Sequence, residues 1–227
     1  MMTGLERQLA IVVPVGPGDP AWRQLSRDLA ACAAGIPVIA VACDDVDRAA
    51  LSREWPACRV VMAGRGRARQ LNAGARAADT EWLWFLHADS RIDPPAVAAL
   101  AGAVSRGRDA LHWFRLGFEA DPAHPVRVNA LGAWIRSRWL GLPFGDQGFL
   151  LRRRTFLRLG GFDERIDRGE DHAFVWRARR AGLPLVEVPA RILTSARRYQ
   201  ERGWLRTTVG HLGLTAMQAF RFSRGER

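Results

Sequence analysis

Apolar runs alternating with helical patterns over roughly the first 90 residues constrain this chain more than any other feature. Leu9–Val15, Ile36–Ala42, Arg59–Ala63 and Trp82–Leu86 are rich in β-branched or aromatic residues and are apolar at nearly every position, not at every second one. A strand that is apolar on both sides of its pleat needs cover on both faces. Helical patterns run to about Ala34 and over residues 67–78, with a Gly/Pro turn at 16–20 and an acidic one at Cys43-Asp44-Asp45. This alternation predicts an α/β fold with a mostly parallel, Rossmann-like sheet flanked by helices.

Beyond residue 90 the order is harder to read. Pro94-Pro95 sits at a helix start, where proline is tolerated. His112–Glu119 alternates like a strand, 126–140 and 170–181 read as helices, and Phe149–Arg152 and Leu185–Val188 read as short strands. Residues 201–222 form a last amphipathic, arginine-flanked pattern, so residues 1–200 are expected to form one domain and 201–227 a tail.

Composition narrows the classes. The formal charge of +11 comes with 34 basic residues, and every one is arginine. That balance predicts attraction to anions such as sugar nucleotides, lipid head groups or RNA. Three cysteines without metal-ligand spacing fit a reduced, cytoplasmic setting. The first residues lack the layout of a signal peptide, and no run of about 18 uncharged apolar residues is present to span a membrane.

Chemistry concentrates in five places. Gly64 to Gly74 leaves a strand, turns on glycines and enters a helix, presenting backbone N–H groups and Arg65, Arg67 and Arg69 to an anion. Asn72, one turn from Arg69, can bond a base or ribose; the plainer alternative is a connector with solvated arginines. The run Trp82–Leu86 stops at His87-Ala-Asp89-Ser90. Asp89 offers hard oxygens to Mg or Mn, while His87 is either a ligand or a hydrogen-bond partner, and the alternative is an Asx turn.

Glu170-Asp171-His172 opens a helix, where acids serve as caps or, functionally, as a general base for an acceptor hydroxyl. The turn Leu142–Gly148 can hold a sugar through Asp146 and Gln147, or is only a turn. Arg197 and Arg198 can clamp a departing diphosphate or cover the last helix.

In this order the motifs resemble the family 2 glycosyltransferases of the GT-A fold over residues 59–210. Ala68-Arg69-Gln-Leu-Asn72-Ala-Gly74, Phe85-Leu-His87-Ala-Asp89, Gly160-Gly161-Phe162-Asp163 and Glu170-Asp171 carry the resemblance. The closer likeness is to a bacterial subgroup labelled arsenosugar-biosynthesis-like, through Gly-Arg-Ala-Arg-Gln, Phe-Leu-His-Ala-Asp, Gly-Asp-Gln and Thr-Ser-Ala-Arg-Arg.

The resemblance implies a nucleotide-sugar donor bound over Pro14, Val15, Gly16, Asp45, Gly66, Arg69, Asn72 and Gly74, with His87 replacing the usual first aspartate. Asp89 would hold a divalent metal, Mn or Mg, on the diphosphate. Asp171, assisted by Glu170, would be the base of an inverting transfer, and Asp146, Gln147, Gly161, Arg197 and Arg198 would meet substrate. The family's acid after the first strand and its Asp-Gly-Ser turn read here as Val15-Gly16-Pro17-Gly18-Asp19 and Cys43-Asp44-Asp45-Val46-Asp47. Asp44, Asp45 and Asp47 are therefore all candidates at the second place.

The acceptor is expected to be a small molecule or a lipid; the 201–222 helix either lies on the membrane surface to meet a lipid or packs over the sheet edge. Two other classes compete. The charge favours a nucleic-acid binder, although the aromatics sit in apolar runs and do not alternate with basic residues on an open face. A sugar-phosphate nucleotidyltransferase shares the sheet and metal logic.

Overall fold

The computed structural model describes residues 4–119 and 126–195. Arg197, Arg198 and the 201–222 pattern lie outside the described residues. The elements in chain order begin α1 (Leu5–Gln8), β1 (Leu9–Val15), α2 (Trp22–Cys32), β2 (Val38–Cys43) and α3 (Arg48–Glu54). Then come β3 (Cys58–Ala63), α4 (Arg67–Ala77), β4 (Trp82–Phe85), β5 (Ser90–Arg91), α5 (Pro94–Arg106), β6 (Leu111–Glu119) and α6 (Val126–Trp139). A 3-10 turn (Gly145–Gln147), β7 (Leu150–Arg152), α7 (Arg153–Arg158), α8 (Glu170–Arg180) and β8 (Leu185–Ser195) complete the order.

One sheet orders the strands β3-β2-β1-β4-β7-β6-β8-β5. β1 pairs in parallel with β2 and β4, β2 with β3, and β6 with β8. β7 runs against β4 and β6, and β5 against β8. The fold is the expected mostly parallel α/β sheet; the short strand expected at Phe149–Arg152 is β7 and runs reversed, and the two-residue β5 had no sign in the local pattern. The strand expected at 185–188 continues to Ser195, beside β6 across a register shift at Phe114/Arg115. Three short helices, α1, α3 and α7, also lacked a sign in the sequence pattern.

Side chains alternate across the sheet, and both faces are covered. From β1, Leu9, Ile11 and Val13 join a core with α2 and α5, while Ala10 and Val12 join a second core containing Leu71, Phe156 and Phe174. This is why the strands are apolar without alternation. Gly74 is needed where α4 crosses the sheet: a Cβ there would meet Val12 Cγ1 at 2.3 Å and Val41 Cγ2 at 2.9 Å. Asp93 caps α5 by accepting from the Ala96 N–H at 2.9 Å.

Candidate active site

Parallel order places the carboxyl ends of β1, β2, β4, β6 and β8 along one edge, where open α/β sheets bind ligands. Pro14 and Val15 end β1 as buried strand residues. Between β1 and β2, the buried Gln70 amide donates to the Val15 carbonyl at 2.9 Å and the Val41 carbonyl at 2.7 Å, fixing how far apart these strand ends stand. After β2, Asp47 caps α3, accepting from the N–H groups of Ala49 and Ala50. Asp44 and Asp45 stay exposed, and Asp45 faces the Arg65 guanidinium at 3.5 Å. Gly66 caps α4 with φ 129°, letting the chain enter the helix from the arginine turn.

Asn72 is engaged by bonds within the protein. Its amide donates to the Phe162 carbonyl at 2.8 Å and to Glu164 at 2.9 Å, and its carbonyl accepts from the Phe162 N–H at 2.9 Å. Gly161 fits beneath it: φ is +64°, and a Cβ would stand 2.6 Å from Asn72 Oδ1. The Gly-Gly-Phe-Asp loop and α4 are thus locked together, with Arg69 at 3.9 Å from Glu164. A cavity of about 420 Å³ lies beside this lock, lined by Asn72, Arg76, Gly161, Asp163, Glu164 and Arg177 among others. Neither Asp89 nor Asp171 lines it.

The chemistry gathers where β4 ends. The His87 N–H donates to Ser90 Oγ at 3.1 Å, closing the turn that carries Asp89. β5 ties this turn to β8 through Ser90 and Thr194, and Thr194 Oγ1 donates to Asp89 Oδ2 at 3.3 Å. Opposite, the Gly145 N–H donates to Asp171 Oδ2 at 2.7 Å and the His172 N–H to Asp171 Oδ1 at 2.9 Å. A Cβ at Gly145 would stand 3.1 Å from Asp171 Oδ2 and 3.2 Å from His87 Nε2, so His87 and Asp171 meet at this one glycine. Arg67 on α4 pairs with the buried Glu170.

Gln147 holds this loop from behind. Fully buried, it donates to the Phe114 carbonyl and accepts from Ser137 Oγ, the Phe144 N–H and Arg136. Arg136 lies 3.2 Å above the Phe144 ring centroid, and the His172 ring meets Phe144 edge-on at 3.8 Å between centroids.

The electrostatics divide the carboxylates. Burial would raise Asp171, but the Arg67 guanidinium and the two backbone N–H groups outweigh it and hold the carboxyl below its usual range. Burial pushes Asp146 up to about 6; Arg136 and Arg67 oppose the rise while Asp171 and Asp89 add to it. Burial lowers His172 to about 4, so the ring is neutral at pH 7. Burial acts to lower Arg67 as well, yet Asp171, Glu170 and Asp146 together raise it.

Among the described residues, Asp146 Oδ1, Glu170 Oε2 and both His172 ring nitrogens are buried without hydrogen-bond partners. Such a concentration in one place makes this turn the candidate site. The described residues contain no group of three His, Cys, Asp or Glu side chains able to hold a cation by themselves.

Residues 46–161, just over half the chain, match the Glycosyl transferase family 2 domain. The chain belongs to this glycosyltransferase family. The matched stretch carries the arginine turn, Asp89 and the Gly-Gly loop and ends before α8. No curated protein matches the chain in sequence. Among solved structures, S. aureus TarS superposes with a TM-score of 0.64 at 13% identity, covering 83% of this chain and 36% of TarS. TarS 1-349 in complex with UDP gives 0.63 at 14% identity, covering 83% and 60%; its complex with UDP-GlcNAc gives 0.63 at 14%, covering 83% and 58%. The chain thus spans less than two thirds of these proteins, and the likeness is one of fold.

Arg67, Gly145 and Thr194 are the site residues that sequence reading left unassigned. Arg67 had a signal, as one of three arginines in the anion turn. Gly145 and Thr194 stood inside the Gly-Asp-Gln and Thr-Ser-Ala-Arg-Arg signatures, but one acts through its backbone N–H and the other through a strand pairing 104 positions from Ser90, and neither role leaves a local sign.

Proposed function

We propose that this glycosyltransferase moves a sugar from a nucleotide-sugar donor to an acceptor hydroxyl by a single inverting displacement, with Asp171 as base. The observation that carries the reading is the Asp171 carboxylate. It is kept ionised by Arg67 and two N–H groups, and it adjoins His87 at the end of β4, where the Asp89 turn begins. An ionised carboxylate positioned this way can take the acceptor proton as the glycosidic bond forms. Glu170 acts through Arg67, keeping that guanidinium beside Asp171. The donor lies across Pro14, Val15, Asp45, Gly66 and Arg69, with Asp146 and Gly161 toward the sugar and Arg197 and Arg198 toward the diphosphate. TarS, crystallised with UDP and with UDP-GlcNAc, makes a uridine diphosphate sugar the first donor to try.

Asp89, with His87 at the same turn, suits a Mn or Mg ion, since such ions are commonly held by one or two carboxylates and completed by substrate phosphates. When bound, the cation would neutralise the departing diphosphate. The subgroup signatures support a place among the arsenosugar-biosynthesis-like enzymes without naming a substrate. The acceptor is a small molecule or a lipid, met by residues 1–200 as the catalytic unit on the cytoplasmic side.

A thermal-shift panel of nucleoside diphosphates and their sugar conjugates, with and without manganese, tests the donor reading. A metal-dependent rise in melting temperature with one nucleotide is expected, because a ligand of the folded state must stabilise it. No shift across the panel would refute a nucleotide-sugar site.

A further inference from the structure

The described surface carries five large exposed apolar side chains, and four of them lie on one short stretch: Leu131, Ile135, Trp139 and Leu140, exposed by 55, 45, 74 and 59%. Three recur every fourth residue of α6, which places them on one face of the helix. The other side is seated: Ala133 and Ser137 are buried, and Ser137 bonds Gln147. The outward stripe is therefore not a loosely packed helix but one anchored on its inner side and apolar on its outer.

Charge decides what such a stripe fits. From Val126 to Gly145 there is no aspartate or glutamate; Arg136 turns inward to Gln147 and Phe144, and Arg138 is exposed beside the stripe. The Arg138 guanidinium lies 6.0 Å from the Trp139 ring centroid. Arg179 closes the end of the stripe, donating to the Leu140 carbonyl at 2.8 Å, and Arg180 beside it is exposed. The acid that touches the helix, Glu187, accepts from Trp134 Nε1 at 3.3 Å and is paired with Arg115. An apolar stripe ending in tryptophan and flanked by arginines, on a chain of net charge +11, matches the chemistry of an anionic bilayer surface.

We infer that the outer face of α6 docks on anionic phospholipid, with Leu131, Ile135, Trp139 and Leu140 entering the head-group boundary. The face is well placed for it. α6 leads within a few residues into the turn whose Gly145 N–H holds Asp171, so docking brings the catalytic edge to the bilayer. If the proposed transfer is right, the acceptor hydroxyl is then presented by a lipid or at its surface. The docking itself does not depend on that reading.

The test uses the full chain in co-sedimentation with vesicles of phosphatidylcholine alone or mixed with phosphatidylglycerol, at low and high salt. Binding is expected to the mixed vesicles only, to weaken as salt rises, and to fall roughly tenfold in Trp139→Glu with an unchanged melting temperature. Ile135→Gln is a second variant on the same face and should give a smaller loss. The inference is overturned if the wild-type chain ignores the mixed vesicles, or if both variants bind as the wild type does. It is also overturned if the wild type is a dimer that Trp139→Glu converts to monomer, which would make the stripe a self-interface. None of these readouts involves turnover, so failure of docking and failure of the proposed reaction are separable.

Discussion

The two sides of the cleft are built differently. On the side of β1 to β4, polar residues near the anion turn are spent on architecture: Gln70 spaces two strand ends, Asn72 clamps the Gly-Gly loop, and Asp47 caps a helix. The groups left facing outward there, Asp44, Asp45 and Arg65, are exposed and weakly held. On the side of the 145–147 turn and α8, polar groups are buried close together and several lack partners. Unsatisfied buried groups are costly and persist where a ligand or a reaction uses them. The contrast teaches that a motif's most prominent polar residue can hold the frame while groups with spare bonding capacity gather elsewhere.

The sharpest way to break that contrast is Asp171→Asn. It is expected to lower kcat by about 10³-fold while the nucleotide-induced melting shift survives; an unchanged rate would remove Asp171 as the base. Asn72→Ala should act on the frame, lowering unfolding free energy by about 3 kcal/mol in urea titration because buried partners lose their bonds. If it weakened nucleotide binding and left stability intact, Asn72 would belong to the donor pocket after all. Asp89→Ala is expected to weaken nucleotide binding with manganese by roughly 100-fold and to leave binding in chelator unchanged. Equal affinity in both conditions would dismiss Asp89 as the metal residue.

A smaller effect is expected from His172. Its folded pKa of about 4 lies below the unfolded value near 6.5, so the unfolded chain binds more protons between these values. Its contribution to stability is therefore complete above pH 6.5 and is lost as pH falls toward 4. Comparing His172→Gln with the wild type at pH 7 and pH 5 removes the opposing trend of Asp146, and the wild type should lose about 2 kcal/mol more than the variant. Parallel losses would show that the ring is not held neutral by burial. Least of all, Asp45→Ala should change stability by under about 1 kcal/mol, since its pair with Arg65 is exposed. Any larger effect would mean that the outward groups are also structural.

Much of the frame was legible before any coordinates. The runs of β1, β2 and β4 announced a covered sheet, because burial on two faces leaves a local mark at every residue; β3, at the sheet edge, is only half-buried despite its apolar run. The two-residue β5 left no mark, and β7, legible as a strand at Phe149–Arg152, gave no sign that it runs reversed, because pairing direction is not a local property. The same limit applied to the site. Asp89 and Asp171 could be picked out as acids at element ends, yet what each touches depended on Thr194 and Gly145, far away in the chain.

The sequence by itself determined the α/β class, the arginine turn and the acids at the ends of β4 and α8, because composition and periodicity are written residue by residue. Only the tertiary structure decided that Asn72 and Gln147 serve the frame, that Arg67 and the Gly145 N–H keep Asp171 ionised, and that α6 turns an apolar stripe outward. Those outcomes depend on which groups are brought within bonding distance and which lose water, and both are fixed only when distant segments pack.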